Sequence, residues 1–372
     1  MFIIDFIIFA FVLGVVVFVH ELGHFLAAKK SGVMVEEFGV GFPPKIWKKK
    51  IGETEYFIGA IPFGGMTRIY GMDEIDSEKE NNSKGYESKG TWPKLLICAG
   101  GVIMNIIFAA VIFYFLVAAS GFQVVQPLFY SEYKFPFGNQ ENHVMIAGVD
   151  TGSPAELVGL KKYDVVSSIN GESMDSADEF ISIVSDNKGK EITIGLINGE
   201  ELKVVPRIET SETIGPLGVQ LRDTAILKYN SVPEKIFVGF LHTWNITDYS
   251  FSALGKIFSY SVKEKSIQPL ASSMTGPVGI FAITKLTAER GLYEIFNLIA
   301  ILSVALGVSN LIPIPAMDGA KIIFTCLQAA NKKVFSKELQ MRIETFGALF
   351  IIFLAIVMVF KDFIQFKDII LK

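Results

Sequence analysis

Four stretches of the chain are apolar almost without interruption, and the segments between them are mixed. They cover residues 2–19, 95–118, 292–312 and 343–360. At ~1.5 Å per residue, the first 18 residues of helix cover ~27 Å, close to one hydrocarbon thickness. That first run passes directly into His20-Glu21-Leu22-Gly23-His24, so one helix is predicted over 1–30. The second span, 94–120 with its flanks, is interrupted mainly by Asn105, and the third, 292–320, carries Pro313 and Pro315 near its end. Between 232 and 275, Ile236, Phe237, Phe240, Trp244, Phe251 and Phe258 recur at helical spacing but are interrupted by Lys235, His242, Asn245, Asp248 and Lys256. That mixture predicts an amphipathic helix lying on the membrane surface and not a fifth span.

The remaining segments follow other periods. Residues 31–72 are β-rich, and 56–61 and 66–70 flank Pro62-Phe63-Gly64-Gly65, which predicts a hairpin turning at that point. Its apolar character predicts a hairpin that dips back toward the first helix, since non-helical backbone at membrane depth needs protein or a watery cavity to cover it. Residues 73–93 are acidic and polar and predict a linker. Residues 143–222 alternate short strands with turn signals. Ser153 before Pro154 is a helix N-cap, 176–186 is helical, and Asn170-Gly171 and Asn198-Gly199 are turn dipeptides. The GSPA…GL…DVVSSING run resembles a PDZ domain, which implies capture of an extended segment at a sheet edge.

Composition agrees with this pattern. The 372 residues are 51% hydrophobic and 19% charged, with mean hydropathy +0.43, as expected of a membrane protein with a soluble insert. A net charge of −4 offers no electrostatic reason to expect nucleic acid. Cys98 and Cys326 belong to no CxxC or Cys/His cluster and are expected to be reduced, packed thiols. Charge also sets the orientation. Asp5 precedes the first apolar core, whereas Lys29, Lys30, Lys45, Lys48, Lys49 and Lys50 follow it, the reverse of a signal peptide. The N-terminus is therefore expected outside and the HELGH end on the cytoplasmic side. The loop before the fourth span, with Lys321, Lys332, Lys333, Lys337 and Arg342, falls on the same side. Residues 119–291 and the C-terminus fall outside.

The candidate chemistry lies at the end of the first span. On a helix, His20 and His24 share a face and can reach one zinc ion, while Glu21 points beside them as a carboxylate able to take a proton from water. A hydrolytic zinc usually has three protein ligands and an open position. The other histidines, His143 and His242, fall in the outer segment, which favours a carboxylate as the third ligand. Asp318, following the proline-broken third span at the predicted depth of His24, is the candidate.

Together, HELGH in the first span, Asn310-x-x-Pro313-x-Pro315-x-x-Asp318-Gly319 after the third, the Pro-Phe-Gly-Gly segment and the PDZ-like insert resemble the site-2 protease family, in its bacterial single-PDZ class. The resemblance implies an α-helical polytopic membrane protein with four transmembrane helices, a membrane-associated β-hairpin and an inserted extracytoplasmic PDZ domain. It implies one zinc per chain held by His20, His24 and Asp318, with Glu21 as general base and then proton donor. It further implies substrate contacts from Asn310, Gly64 and Gly65, and a place in the bacterial inner membrane with the active site near the cytoplasmic side. Implied substrates are single-span membrane proteins or peptides, anti-sigma factors and signal-peptide remnants among them, cut within the lipid bilayer. Two other classes remain open at this point: an inactive PDZ membrane scaffold, and a zinc transporter or sensor.

Overall fold

The computed structural model describes residues 2–72, 82–209, 215–331 and 336–370. The first part of the acidic linker, 73–81, lies outside those residues, as do Lys332 and Lys333. The chain forms two compact units, Met1–Leu116 with His242–Lys372, and Val117–Leu241.

Among the described residues, four helices are long and apolar enough to cross a membrane: Ile3–Lys30, Thr91–Ala119, Leu292–Leu311 and Lys337–Lys367. They belong to α1 (Phe2–Lys30), α2 (Thr91–Ala119), α8 (Leu292–Leu311) and α10 (Lys337–Ile370). Val12 and Val16 of α1, Ala109 and Phe113 of α2 and Val304 of α8 form one buried cluster. Lipid supplies no hydrophobic drive between helices, so close approach depends on small residues. α1 and α2 meet at Gly23 and Gly100, where a Cβ on either would overlap the other's backbone carbonyl.

Three boundaries differ from expectation. The third span does not run to 320. With Pro313 and Pro315 unable to continue the helical ladder, α8 stops at Leu311 and a new helix, α9 (Asp318–Ala330), starts at the aspartate. The fourth helix is longer than 343–360, because its C-terminal extension carries the fully buried Asp362, which accepts the Gly276 and Gly279 N–H groups at 2.8 Å. That carboxylate caps the short apolar helix α7 (Pro277–Ala288). The amphipathic segment forms α5 (Val232–Lys263), followed by the one-turn α6 (Gln268–Ser273). α5 exposes Ile236, Phe237, Phe240, Trp244 and Phe258 and buries His242 and Asn245, with His242 edge-on to Phe113 at 4.8 Å. Both cysteines are free, and Cys98 is buried as expected, but Cys326 is exposed.

The hairpin also departs from expectation. β1 (Val35–Ile51) and β2 (Thr54–Ile69) turn at Gly52-Glu53, with Gly52 at φ +62°, and not at Pro62–Gly65. Residues 56–61 and 66–70 do not pair with each other. Residues 35–40 run between them, with Phe38 opposite both Tyr56 and Thr67. The sheet order is thus 45–51, 54–59, 35–40, 65–69. Phe38 anchors it to α1, its ring 5.7 Å from Phe18 and 4.6 Å from Phe25.

The second unit is a seven-stranded sheet of β3 (Gln123–Pro127), β4 (Asn139–Val149), β5 (Val165–Ile169), β6 (Glu172–Ser173), β7 (Ile192–Leu196), β8 (Glu201–Val204) and β9 (Val219–Lys228). The order is β3-β9-β4-β5-β7-β8, with β6 paired to β5. Ser153 caps α3 (Pro154–Leu157), and Ser176 caps α4 (Ala177–Asp186) by accepting from Glu179 N–H. Asn170-Gly171 has two positive φ angles, and β7 pairs β8 across Asn198-Gly199. Val144, Ile146, Val166, Phe180, Ile194 and Leu217 fill its core. The sheet begins before residue 143, because β4 starts at Asn139 and β3 pairs with the other edge of β9.

Candidate metal centre

Residues four apart on a helix return to one face, and on α1 this brings the buried rings of His20 and His24 within 4.9 Å of each other. Asp318, the first residue of α9, completes a triangle. Its Oδ2 lies 3.1 Å from His20 Nε2 and 3.2 Å from His24 Nε2, and the two Nε2 atoms are 3.2 Å apart. Among the described residues this is the one group of three metal-ligating side chains whose donor atoms converge. A tetrahedral zinc ~2.0 Å from nitrogen and oxygen ligands holds them ~3.3 Å apart, so the spacing fits.

The donor chemistry fits as well. His24 donates from Nδ1 to the Ile97 carbonyl at 2.8 Å, which leaves Nε2 as a lone pair. His20 Nδ1 faces the amide of fully buried Asn105 at 3.3 Å, and the amide's Oδ1 is otherwise unpartnered. With the amide turned so that Oδ1 accepts from His20 Nδ1–H, His20 Nε2 is also a lone pair. Asp318 Oδ2 is itself buried without a hydrogen-bond partner. Three lone pairs thus meet with no proton to share, an arrangement that a cation satisfies.

Several close approaches hold these groups in place. Gly101 of α2 lies against both rings: a Cβ there would sit 2.5 Å from His24 Nε2 and 2.5 Å from His20 Cε1. Ser303 Oγ donates to the Asn105 carbonyl at 3.0 Å, tying α8 to α2. Gly319 allows α9 to start beneath the end of α8, since a side chain there would overlap the Leu311 carbonyl. Gly347 of α10 packs equally tightly on Pro315, supporting the turn that delivers Asp318.

Glu21 lies next to this centre and against the sheet. A Cβ on Gly65 would come 2.7 Å from Glu21 Cγ, and Thr67 Oγ1 donates to the Glu21 carbonyl at 3.1 Å. Gly64, at φ +99°, lies against the Phe42 ring. Residues 65–69 pair with 35–40 on one side, and among the described residues no strand pairs with their other edge. Asn310 is in the last turn of α8, with its amide donating to Leu306 O at 3.1 Å and to none of the three clustered side chains. His143 and His242 lie outside the group. Burial lowers the pKa of His143.

Sequence reasoning assigned no positioning role to Gly101 or to the Ile97 carbonyl, and met Asn105 only as an interruption of a span. The available signals were adjacent glycines in an apolar helix, which mark close packing, and an amide in hydrocarbon, which needs a partner. Asn105→Leu is expected to weaken zinc binding ~10–100-fold, as loss of a group orienting a ligand histidine does. Asn105→Asp, which keeps an acceptor, is expected to restore most of that affinity. Competition against a chromogenic chelator measures both, and equal affinity in the leucine variant and wild type rules out the orienting role.

A family model described as Peptidase family M50 matches residues 8–354. The chain is similar to the regulator of sigma-W protease RasP of Bacillus subtilis, at 26% identity over 97% of this chain and 99% of that protein. It is similar to the zinc metalloprotease RasP of Bacillus licheniformis, at 26% identity over 96% and 98%. A third relative is the chloroplastic membrane metalloprotease ARASP of Arabidopsis thaliana, at 29% identity over 94% of this chain and 77% of that protein.

Proposed function

Because the chain belongs to peptidase family M50 and is a zinc metalloprotease of the membrane, we propose that it cuts the transmembrane segments of single-span proteins, with one zinc per chain held by His20, His24 and Asp318. The observation that carries this reading is the convergence of those three donor atoms within 3.2 Å of one another, directly beside Glu21 and a strand edge that pairs with no other strand among the described residues.

A helical substrate hides its carbonyls in its own hydrogen bonds, so it must unwind before a peptide bond can be attacked. Each N–H or C=O freed in hydrocarbon costs several kcal/mol unless it finds a partner. The 65–69 edge offers such partners in sequence order, and with no side chain on Gly64 or Gly65 an extended backbone can approach closely. Zinc, when bound, polarises the scissile carbonyl and lowers the pKa of the attacking water toward ~7. Glu21 takes the proton from that water on its carboxylate and delivers it to the leaving nitrogen. Asn310, in the last turn of α8, exchanges its bond to Leu306 O for a flanking substrate backbone group.

Chelation with 1,10-phenanthroline is expected to abolish cleavage of a single-span substrate in detergent, and stoichiometric zinc to restore it. Cleavage that survives removal of the metal, verified by elemental analysis, refutes the reading. Asp318→Ala is expected to fail to recover activity on adding zinc.

The cytoplasmic orientation of the centre is supported by the lysines that follow α1. The second unit is read as an extracytoplasmic PDZ domain on the strength of its capped helices and turn dipeptides. Its groove is the apolar pocket of about 330 Å³ between α4 and the start of β9, lined by Phe180, Ile181, Val184, Leu217 and Val219. It acts as a size filter, excluding substrates that still carry a bulky outer domain. Deleting 143–222 is expected to admit uncut precursors, and unchanged selectivity in that variant counts against the filter. The name of the Bacillus subtilis relative, a regulator of sigma-W protease, supports anti-sigma factors as a substrate class, with signal-peptide remnants as a second.

A further inference from the structure

The sheet beside α1 has two margins, and the catalytic reading uses only 65–69. The opposite margin is the hairpin 45–59, in which apolar and basic residues are mixed. Trp47 is opposite Ile58, and both are about half exposed (49% and 48%). Ile46 and Ile51 are more open, at 69% and 56%. These apolar groups stand among three consecutive lysines, Lys48, Lys49 and Lys50.

The nearby carboxylates are already engaged. Lys45 lies between Glu37 at 2.7 Å and Glu55 at 2.6 Å, and Glu53 pairs with Lys84. Lys48 reaches only the shared Glu55, at 3.8 Å, with 65% of its side chain exposed. Lys49 and Lys50 form no ion pair with a described residue. The hairpin therefore presents an excess of positive charge around an indole and isoleucines.

Its depth follows from contacts already described. Phe38 packs on Phe18 and Phe25 of α1, and Gly65 lies against Val17 as well as Glu21. The sheet thus runs beside the last several turns of a helix that crosses the membrane and ends in Lys29 and Lys30. Exposed isoleucines at that level meet lipid, tryptophan favours the headgroup boundary, and lysines there face anionic phosphate.

We propose that the 45–54 hairpin is a lipid-anchoring element, in which Trp47 and its isoleucine neighbours enter the bilayer interface while Lys48, Lys49 and Lys50 bind anionic phospholipid headgroups. Because the same sheet carries the 65–69 edge on its far margin, this anchor sets the depth and tilt of that edge against Glu21. The proposal rests on the placement of the chain in a membrane and not on its catalytic chemistry.

The test uses the full chain reconstituted in bilayers, with Trp92→Phe and Trp244→Phe leaving Trp47 as the sole indole. Both replaced residues are well exposed, at 82% and 61%. Trp47 fluorescence is recorded with brominated phosphatidylglycerol and with brominated phosphatidylcholine at equal bromine content. The expected result is quenching about twofold or more stronger from the anionic lipid. That preference should disappear in K48Q/K49Q/K50Q and weaken at high salt. Equal quenching by the two lipids overturns headgroup recognition. Quenching by neither shows a hairpin in water or covered by protein, and overturns the anchor altogether. A preference that persists in the triple variant removes the lysines from the proposal. Zinc content of each variant, expected unchanged, reports that the site unit is folded, so failure of the anchor is distinguishable from failure of the protease reading.

Discussion

Gly101→Ala is expected to empty the metal centre and abolish proteolysis. The added methyl would sit 2.5 Å from His24 Nε2 and from His20 Cε1, and 2.7 Å from His20 Nδ1. Carbon does not approach so closely, so something must move. His24 is tethered through Nδ1 to Ile97 O on α2 itself, and His20 faces Asn105 on the same helix. Neither ring can retreat without losing the bond that orients it. The alternative, separation of α1 from α2, opens the crossing at Gly23 and Gly100 and pulls both imidazoles away from Asp318. Removing an orienting partner alone costs ~10–100-fold in metal affinity, and displacing two ligands together is expected to exceed ~100-fold. Elemental analysis of purified protein should find near-stoichiometric zinc in wild type and under about a tenth of that in the variant. Gly14→Ala is the matched control, since a Cβ at Gly14 of α1 meets nothing within 4 Å. Full zinc loading in Gly101→Ala is the outcome that refutes this account.

Glu21→Gln is expected to have the opposite signature, an intact metal and no turnover. The amide is isosteric with the carboxylate, and Thr67 bonds to the Glu21 backbone carbonyl, which the substitution leaves in place. The close contact with Gly65 involves Glu21 Cγ, also retained. The variant therefore preserves the fit between α1 and the sheet and removes only the capacity to carry a proton. General acid–base catalysis typically contributes ~10²–10⁴ in rate, and the role proposed for Glu21 covers both proton transfers, so a loss at the upper end is expected. Cleavage of a single-span substrate, followed on gels beside zinc analysis of the same preparations, separates the two variants. A Glu21→Gln protein that cuts at the wild-type rate excludes Glu21 as the proton carrier.

The parts of the molecule that were legible in advance are those specified by neighbours along the chain. The four spans follow from continuous apolar runs, because a helix satisfies its backbone internally and needs only length and composition to be recognised. Ser153 was readable as a helix cap, and Asn170-Gly171 and Asn198-Gly199 as turns, because each motif closes within a few residues. The β region shows where local signals mislead. Gly64-Gly65 looked like the stronger turn, yet Gly52-Glu53 forms it, and residues 35–40 separate the two strands expected to pair. Strand pairing is settled between distant segments, and the packing of Phe38 on Phe18 and Phe25 determines which segment takes the middle of the sheet. The end of the third span was similarly ambiguous. Two prolines announced a break but not that a new helix would begin at Asp318, which depends on Gly319 fitting beneath Leu311 and Gly347 fitting against Pro315.

The amino-acid order alone determined that this chain spans a membrane, that two imidazoles and a carboxylate share one end of its first helix, and that an acidic residue follows a broken third span. Each of these is a property of spacing along one segment, governed by the helical repeat and by the cost of polar groups in hydrocarbon. Tertiary structure alone decided that Asp318 meets both rings, that Gly101 and Asn105 hold them, and that residues 65–69 run past Glu21. Those facts depend on glycine-sized approaches between helices far apart in the chain, and such distances are set only when the helices pack.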